Sequence, residues 1–298
     1  MKQIVILSGK GGTGKTSVAA AFAHLAAQSA PPSPVLADAD VDASNLELVL
    51  DPNVLEEHEF IGGQIAIIDQ SLCEGCGACA AVCRFDAVLE EDGVYTVDPI
   101  ACEGCAACLT QCPSDAIRMQ PQLAGRWFRS ESRYGPLFHA ALRPAQENSG
   151  KLVALVKEQA RQYALDHGHP LVIVDGPPGI GCPVISAVSG ADLAVIVAEP
   201  SLAGIHDMER VLETARHFRV PSLVCINKAD IYPDGAAQIE AYCRANDLPL
   251  IGRLPYDTAV IHAMTQARPI TAHAPDGLIS RALRRAWERI LAALQANP

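Results

Sequence analysis

The sequence predicts an α/β fold: a doubly wound, mostly parallel sheet with a small module inserted in it. Three observations predict it. A short apolar run passes through the glycine-rich stretch SGKGGTGKTS, residues 8–17, into an alanine-rich segment. Strand-like runs and helical periods alternate again from residue 151 onward. Between these halves the grammar breaks, and eight of the eleven cysteines crowd between Cys73 and Cys112.

Each element follows from local pattern. Residues 3–7 (QIVIL) form a continuous apolar run ending in glycines, the mark of a strand buried on both faces. Residues 15–28 are rich in alanine and free of interior Gly or Pro, which predicts a helix. PPSP at 31–34 punctuates the chain, and VLAD at 35–38 is a second strand. The later half repeats the order: a helix over 151–165, a strand in LVIVDGPPG at 171–179, another in LAVIVAEP at 193–200 and a helix near 204–218. PSLVCINKAD at 221–230 is a strand and loop, LPLIGRLPYD at 248–257 holds a short last strand, and 278–295 is an amphipathic helix. Residues 120–150 are expected to be strand and loop.

Composition narrows the class. The chain has 298 residues, 49% hydrophobic and 19% charged, as in a globular protein. Its net charge is −11 with no basic block, which argues against sequence-independent nucleic-acid binding. The N-terminal apolar run is too short for a signal-peptide core, and no stretch nears the roughly 18 apolar residues of a membrane span. A cytoplasmic protein is expected, and in that reducing compartment clustered cysteines point to metal in place of disulfides.

Residues 60–119 contain a tandem repeat. CEGCGACAAVC and CEGCAACLTQC each read C-x2-C-x2-C-x3-C, and Cys73 to Cys102 and Cys83 to Cys112 are both 29 residues apart. Three closely spaced thiolates can wrap one face of an iron–sulfur cubane. Two four-cysteine zinc sites are the alternative, although zinc ligands usually come as paired C-x2-C hairpins across a longer gap. The repeat resembles bacterial two-cluster ferredoxins, in which the fourth cysteine of each run serves the other cluster. That resemblance implies one [4Fe–4S] cluster on Cys73, Cys76, Cys79 and Cys112, and a second on Cys102, Cys105, Cys108 and Cys83. Arg84 stands where the second half has Pro113, and this removes no ligand. The chain is therefore expected to divide into 1–59, an inserted module at 60–119, and 120–298.

Gly9 to Thr16 satisfies G-x-x-x-x-G-K-[ST] in the context that motif needs, between a strand and a helix. Glycines let backbone N–H groups face phosphates, Lys15 would reach the β- and γ-phosphates, and Thr16 would ligate Mg²⁺. Gly9, Lys10, Gly11, Gly12, Thr13, Gly14, Lys15, Thr16 and Ser17 are thus the expected cofactor-binding residues. The additional Lys10 gives K-G-G-x-G-K-T, which resembles the deviant phosphate loop of the MinD/ParA/Mrp ATPases. DADVDASNL at 38–46 and VIVDGPPGIG at 172–181 resemble that group's two switch loops.

The resemblance implies ATP hydrolysis in a dimer. Lys10 would reach the partner subunit's nucleotide, so that a cation delivered in trans ties hydrolysis to dimer geometry. Asp40 would orient the attacking water, with Asp38 and Asp42 as possible assistants, and Asp175 would hold a Mg²⁺-bound water. Lys10, Lys15 and Asp40 are the catalytic candidates. Asn227, in NKAD, would hydrogen-bond adenine, although the same four residues match the guanine-reading N-K-x-D and Asp230 has the acceptors for guanine's donors. The expected cofactors are ATP or ADP, Mg²⁺ and two [4Fe–4S] clusters. The expected partners are a second copy or a paralogue, plus a redox protein.

Three functions fit: an ATP-dependent redox protein, an iron–sulfur cluster carrier, and a positioning ATPase. The inserted cysteines favour the first. Carriers of the Mrp type use a C-terminal C-x-x-C that is missing here, and Cys182, Cys225 and Cys243 each stand alone. The last helix, with Arg281, Arg284, Arg285 and Arg289, is expected to be an outer helix packed on the sheet and not a membrane anchor.

Overall fold

The computed structural model describes residues 1–29, 31–144 and 149–296. Residues 145–148, part of the 120–150 stretch expected to be strand and loop, lie outside them. The chain forms two compact units. The first comprises Met1–His58, Trp127–Ala141 and Ser149–Pro298, and the second Glu59–Arg126 and Leu142–Asn148.

In the first unit, β1 (Lys2–Ser8) has Ile4 to Leu7 fully buried, as its unbroken apolar run requires. It feeds α1 (Lys15–Ser29), then β2 (Val35–Asp38) and the short α2 (Leu46–Leu50). Next, β3 (Asn53–Ile68) runs from the first unit into the second. The second unit holds α3 (Ala78–Val82), β4 (Val88–Glu91), β5 (Val94–Val97) and α4 (Ala107–Gln111). The chain leaves it through β6 (Ile117–Ser132), followed by β7 (Gly135–Leu142).

Back in the first unit come α5 (Ser149–Asp166), β8 (Leu171–Pro178), α6 (Cys182–Val188) and β9 (Leu193–Ala198). They are followed by α7 (Leu202–His217), β10 (Ser222–Ile226), α8 (Pro233–Ala245) and β11 (Leu250–Arg253). The chain ends in α9 (Ala259–Thr265), α10 (Ile270–His273) and α11 (Leu278–Ala296).

The main sheet has the order β11-β10-β9-β1-β8-β2-β7-β6-β3. Pairing is parallel for β10/β11, β9/β10, β1/β9, β1/β8, β2/β8 and β2/β7. Ligand crevices in such sheets lie outside the carboxyl ends of the strands. Register brings chemistry to that edge: Ile6 of β1 and Asp38 of β2 both pair with Asp175 of β8.

Two parts of the fold differ from the sequence reading. A 16-residue strand, β3, occupies ground assigned to no strand, and 120–142 is mostly paired strand where strand and loop were expected. Residues 53–59 (NVLEEHE) are all exposed, so no burial imposed an apolar alternation that could have announced the strand. The amphipathic α11 buries Ile279, Leu283, Ala286, Trp287 and Ile290 in the core around α1, where Phe22 meets Trp287 at 5.4 Å. No helix among the described residues is long and apolar enough to cross a membrane.

Candidate functional site

The loop between β1 and α1 is shaped by its glycines. Gly12 and Gly14 adopt φ of +76° and +93°, where L side chains are strained. A Cβ on Gly14 would also meet Asn227 Nδ2 at 2.3 Å, and one on Gly9 would strike Asp207 at 2.2 Å. The loop hands its N–H groups to the start of α1, a ready anion site. Gly11, Gly12, Gly14, Lys15, Thr16, Ser17, Asp40 and Asn227 all line one cavity of about 840 Å³, a size that suits a nucleotide. Gly9, Lys10, Thr13 and Asp175 are not part of its wall. Ser17 donates its hydroxyl to Met264 Sδ at 3.4 Å, and the buried Thr13 hydroxyl has no partner among the described residues.

Carboxylates gather at the strand ends. Asp38 is fully buried, and its side chain accepts from the Asp40, Asn45 and Leu46 amides and from Ser44 Oγ, at 2.8–3.1 Å. These four donors give it a structural task, pinning residues 40–46 to β2. Asp40 lies above it, half-buried, with its pKa pushed to about 6 by burial, against the pull of Lys15.

Asp175 is buried, and neither of its carboxylate oxygens has a hydrogen-bond partner among the described residues. Thr16 approaches it without bonding geometry. Burial first, and the Asp38 charge second, push the Asp175 pKa to about 8. An orphaned carboxylate beside the Thr16 hydroxyl and the buried Lys15 fits a hard cation with its waters. Thr16 would ligate Mg²⁺ directly and Asp175 would hold one of its waters. Asp42 is exposed at the cavity wall.

Lys10 is engaged within its own chain. Its Nζ lies 3.5 Å from Glu199 Oε2 and 3.4 Å from Ser201 Oγ. Glu199 also sits 3.8 Å from Lys228 Nζ, which donates to the Gly12 carbonyl at 3.0 Å. Glu199 and Ser201 went unnoticed in the sequence because β9 and its AEPS end carry no motif of their own, while Lys228 lay inside NKAD without a role assigned to it. Lys157 was also missed. Buried on α5, its ammonium donates to the carbonyls of Ser186 (2.6 Å), Ala187 (3.3 Å) and Ser189, closing the C-terminus of α6, the helix that follows β8. Burial lowers its pKa to about 8.

At the base end, Asn227 Nδ2 donates to the Thr13 carbonyl at 2.7 Å, and its Oδ1 accepts from the Lys228 amide at 3.0 Å. Leu254, Pro255, Tyr256 and Ile270 add an apolar wall suited to a planar base.

In the second unit the tandem repeat becomes local symmetry. Gly75 and Gly104 share a left-handed conformation, as do Gly77 and Ala106, and Asp86 and Asp115. The Asp69 amide donates to Ala116 O at 2.7 Å, and its counterpart Asp98 donates to Ala87 O at 2.8 Å, so each half is stitched to the other. Two small cavities result. One is lined by Cys73, Cys76, Cys79 and Cys112, the other by Cys102, Cys105, Cys108 and Cys83. Each therefore draws three cysteines from one run and the last cysteine of the other. The Cys112 sulfur accepts from the Ala116 amide at 3.3 Å, and its pKa is lowered mainly by the Ser114 hydroxyl. Burial raises the thiol pKa of Cys79 and Cys108. Among the described residues no group of three or more Cys, His, Asp or Glu side chains is gathered tightly enough for a single metal ion.

Comparison with known proteins agrees with the first unit's architecture. An uncharacterized protein of Methanocaldococcus jannaschii is 38% identical over 226 residues, covering 76% of this chain and 78% of its own. A putative septum site-determining protein MinD of Chlorella vulgaris is 25% identical over 296 residues, covering 97% and 84%. Among solved structures, Pyrococcus horikoshii MinD complexed with Mg-ADP superposes with a TM-score of 0.60 at 18% identity, over 100% of this chain and 99% of that one. Aquifex aeolicus MinD gives 0.59 at 19%, over 98% and 97%. At such identities the structural matches speak for the fold alone: an α/β phosphate-loop NTPase with a mostly parallel central sheet. The profile of the CobQ/CobB/MinD/ParA nucleotide binding domain matches residues 4–270, and the chain belongs to this family of MinD/ParA-type ATPases.

Proposed function

We propose that this protein is an ATP-hydrolysing iron–sulfur protein, in which the nucleotide-dependent conformation of a dimer is coupled to electron transfer through two [4Fe–4S] clusters. The observation that carries the reading is the sorting of eight cysteines into two quartets, each lining its own cavity in crosswise order. A cubane spreads its thiolates across four irons, so the quartets have no need to converge on one point. Bound clusters would supply one-electron chemistry.

The residues of the first unit take up the nucleotide side. Lys15 offers its buried ammonium to the phosphates, and the loop amides and the start of α1 add their field. Asp40 holds a water for attack, and a pKa near 6 keeps it mostly ionised at neutral pH while still able to take a proton. Lys10 is parked on Glu199 and Ser201, so service to a partner subunit's nucleotide requires it to leave them. That exchange makes closure of a dimer a condition for hydrolysis. Aquifex aeolicus MinD forms a complex with MinC, and a partner protein is expected here too, of redox type. Coupling to the clusters demands that two dimer conformations differ in their affinity for the nucleotide and for the electron.

A second reading, a positioning ATPase with a redox-sensing module, draws on the MinD relatives. The test is anaerobic purification followed by iron, sulfide and zinc analysis. About eight irons and eight sulfides per chain are expected from two cubanes. Two zinc ions without sulfide would end the redox reading and leave an ATPase with a structural zinc module.

A further inference from the structure

We infer that Asp230 is a positioning residue of the nucleotide pocket: it fixes the rim at Pro255–Asp257 and does not read the base. The inference rests on the cavity being a purine-nucleotide site, as proposed above, and deepens that reading.

The N-K-A-D segment is used up in a way its resemblance to a guanine motif does not suggest. Asp230 Oδ1 accepts from the backbone N–H of Tyr256 at 2.7 Å. Two further bonds run alongside: the Leu254 amide donates to Ile226 O at 2.8 Å, and the Ala229 amide to Leu254 O at 2.9 Å. The other end of the segment grips the phosphate loop, Asn227 through the Thr13 carbonyl and Lys228 through the Gly12 carbonyl. Lys228 itself turns in the left-handed region, at φ +54°. The four residues therefore form a strut between the loop that cradles phosphate and the loop that walls the base.

Reading guanine through a carboxylate takes both oxygens, one for the ring N1–H and one for the 2-amino group. Asp230 is turned to the Tyr256 amide and is not among the residues that line the cavity, which include its neighbours Asn227 and Lys228. Selection then passes to Asn227. After its two protein bonds, the amide keeps one N–H and one lone pair. That pair matches adenine, whose N7 accepts and whose 6-amino group donates. Guanine presents two acceptors on that edge, O6 and N7, so the Asn227 oxygen would face another oxygen without a proton between them.

The experiment is calorimetric titration of the full-length protein, prepared anaerobically, with the Mg²⁺ complexes of ATP, GTP and xanthosine triphosphate. Asp230→Ala removes the acceptor for Tyr256, and ATP affinity should fall about tenfold, the scale of one charge-assisted hydrogen bond. Asp230→Asn keeps a carbonyl oxygen for that N–H and should recover most of the loss, with ATP still preferred over GTP. Neither variant should acquire xanthosine triphosphate. A carboxylate that reads the base behaves differently. Its Asn variant would present an N–H to the 2-carbonyl of xanthine, so a gain of xanthosine triphosphate with a loss of GTP would overturn the inference. Unchanged ATP affinity in Asp230→Ala would overturn it too. Failure of the wild-type protein to bind ATP or GTP at all would instead remove the nucleotide reading beneath it.

Discussion

Replacing Asp175 by asparagine gives the sharpest view of the site's energetics. In the folded chain this carboxyl has a pKa of about 8, against 3.8 for an ordinary aspartate, because it is buried beside Asp38 without a hydrogen-bond partner. The folded state therefore holds a proton that the unfolded state has released. Stability falls as pH rises through the interval from about 4 to 8, and levels off above the folded value. Each pH unit in that interval costs about 1.4 kcal/mol. At neutral pH the buried pair of Asp175 and Asp38 thus opposes folding by a few kcal/mol as an order of magnitude, roughly one held proton carried across that interval, a strain that a bound cation would relieve. The assay is urea denaturation at pH 5 to 8, anaerobically, in chelator and without nucleotide. Asp175→Asn should gain steadily on the wild type as pH rises, by on the order of 1 kcal/mol per pH unit, with the two proteins closest at pH 5. Mg²⁺ with ATP should stabilise the wild type more than the variant, which lacks the carboxylate that holds a Mg²⁺-bound water. Parallel pH profiles for the two proteins would refute the reasoning.

Gly14→Ala should abolish nucleotide binding, because its Cβ would sit 2.3 Å from Asn227 Nδ2 at a φ of +93°, and equilibrium binding of Mg-ATP checks this. The ATPase rate should fall as pH drops through about 6, where Asp40 takes up a proton; a rate flat from pH 5 to 7.5 would remove Asp40 from its role. Lys157→Met should destabilise the protein by about 2–4 kcal/mol, since it leaves the carbonyls at the end of α6 unpaired in a buried place; a chemical denaturation curve reads the loss.

What the sequence made legible was whatever repeats or has a fixed grammar. The β1 run, the glycine loop and the alanine helix are local signals, and the structure places them in that order at the centre of the sheet. The crosswise quartets followed from cysteine spacing and ferredoxin resemblance, and the structure gathers the same quartets around two cavities. What stayed hidden depends on contacts far apart in the chain. The Lys10–Glu199 pair joins residues 189 positions apart, and Lys157 caps a helix that begins 25 residues after it. The first half of β3 was hidden for another reason: an exposed strand needs no apolar alternation, and NVLEEHE offers none. The role of Asp38 was legible only as one of three nearby acids, and its four hydrogen bonds separate it from Asp40 and Asp42.

The central claim is that triphosphate turnover in the first unit acts on clusters held by the second. Spectroelectrochemical titration of the anaerobic protein, once with Mg-ADP and once with a non-hydrolysable Mg-ATP analogue, tests it most directly. The account predicts two reductive steps whose midpoint potentials move between the two nucleotides, by at least about 60 mV for a tenfold coupling of a one-electron couple. Superimposable titration curves, at nucleotide concentrations shown to saturate the site, would contradict it.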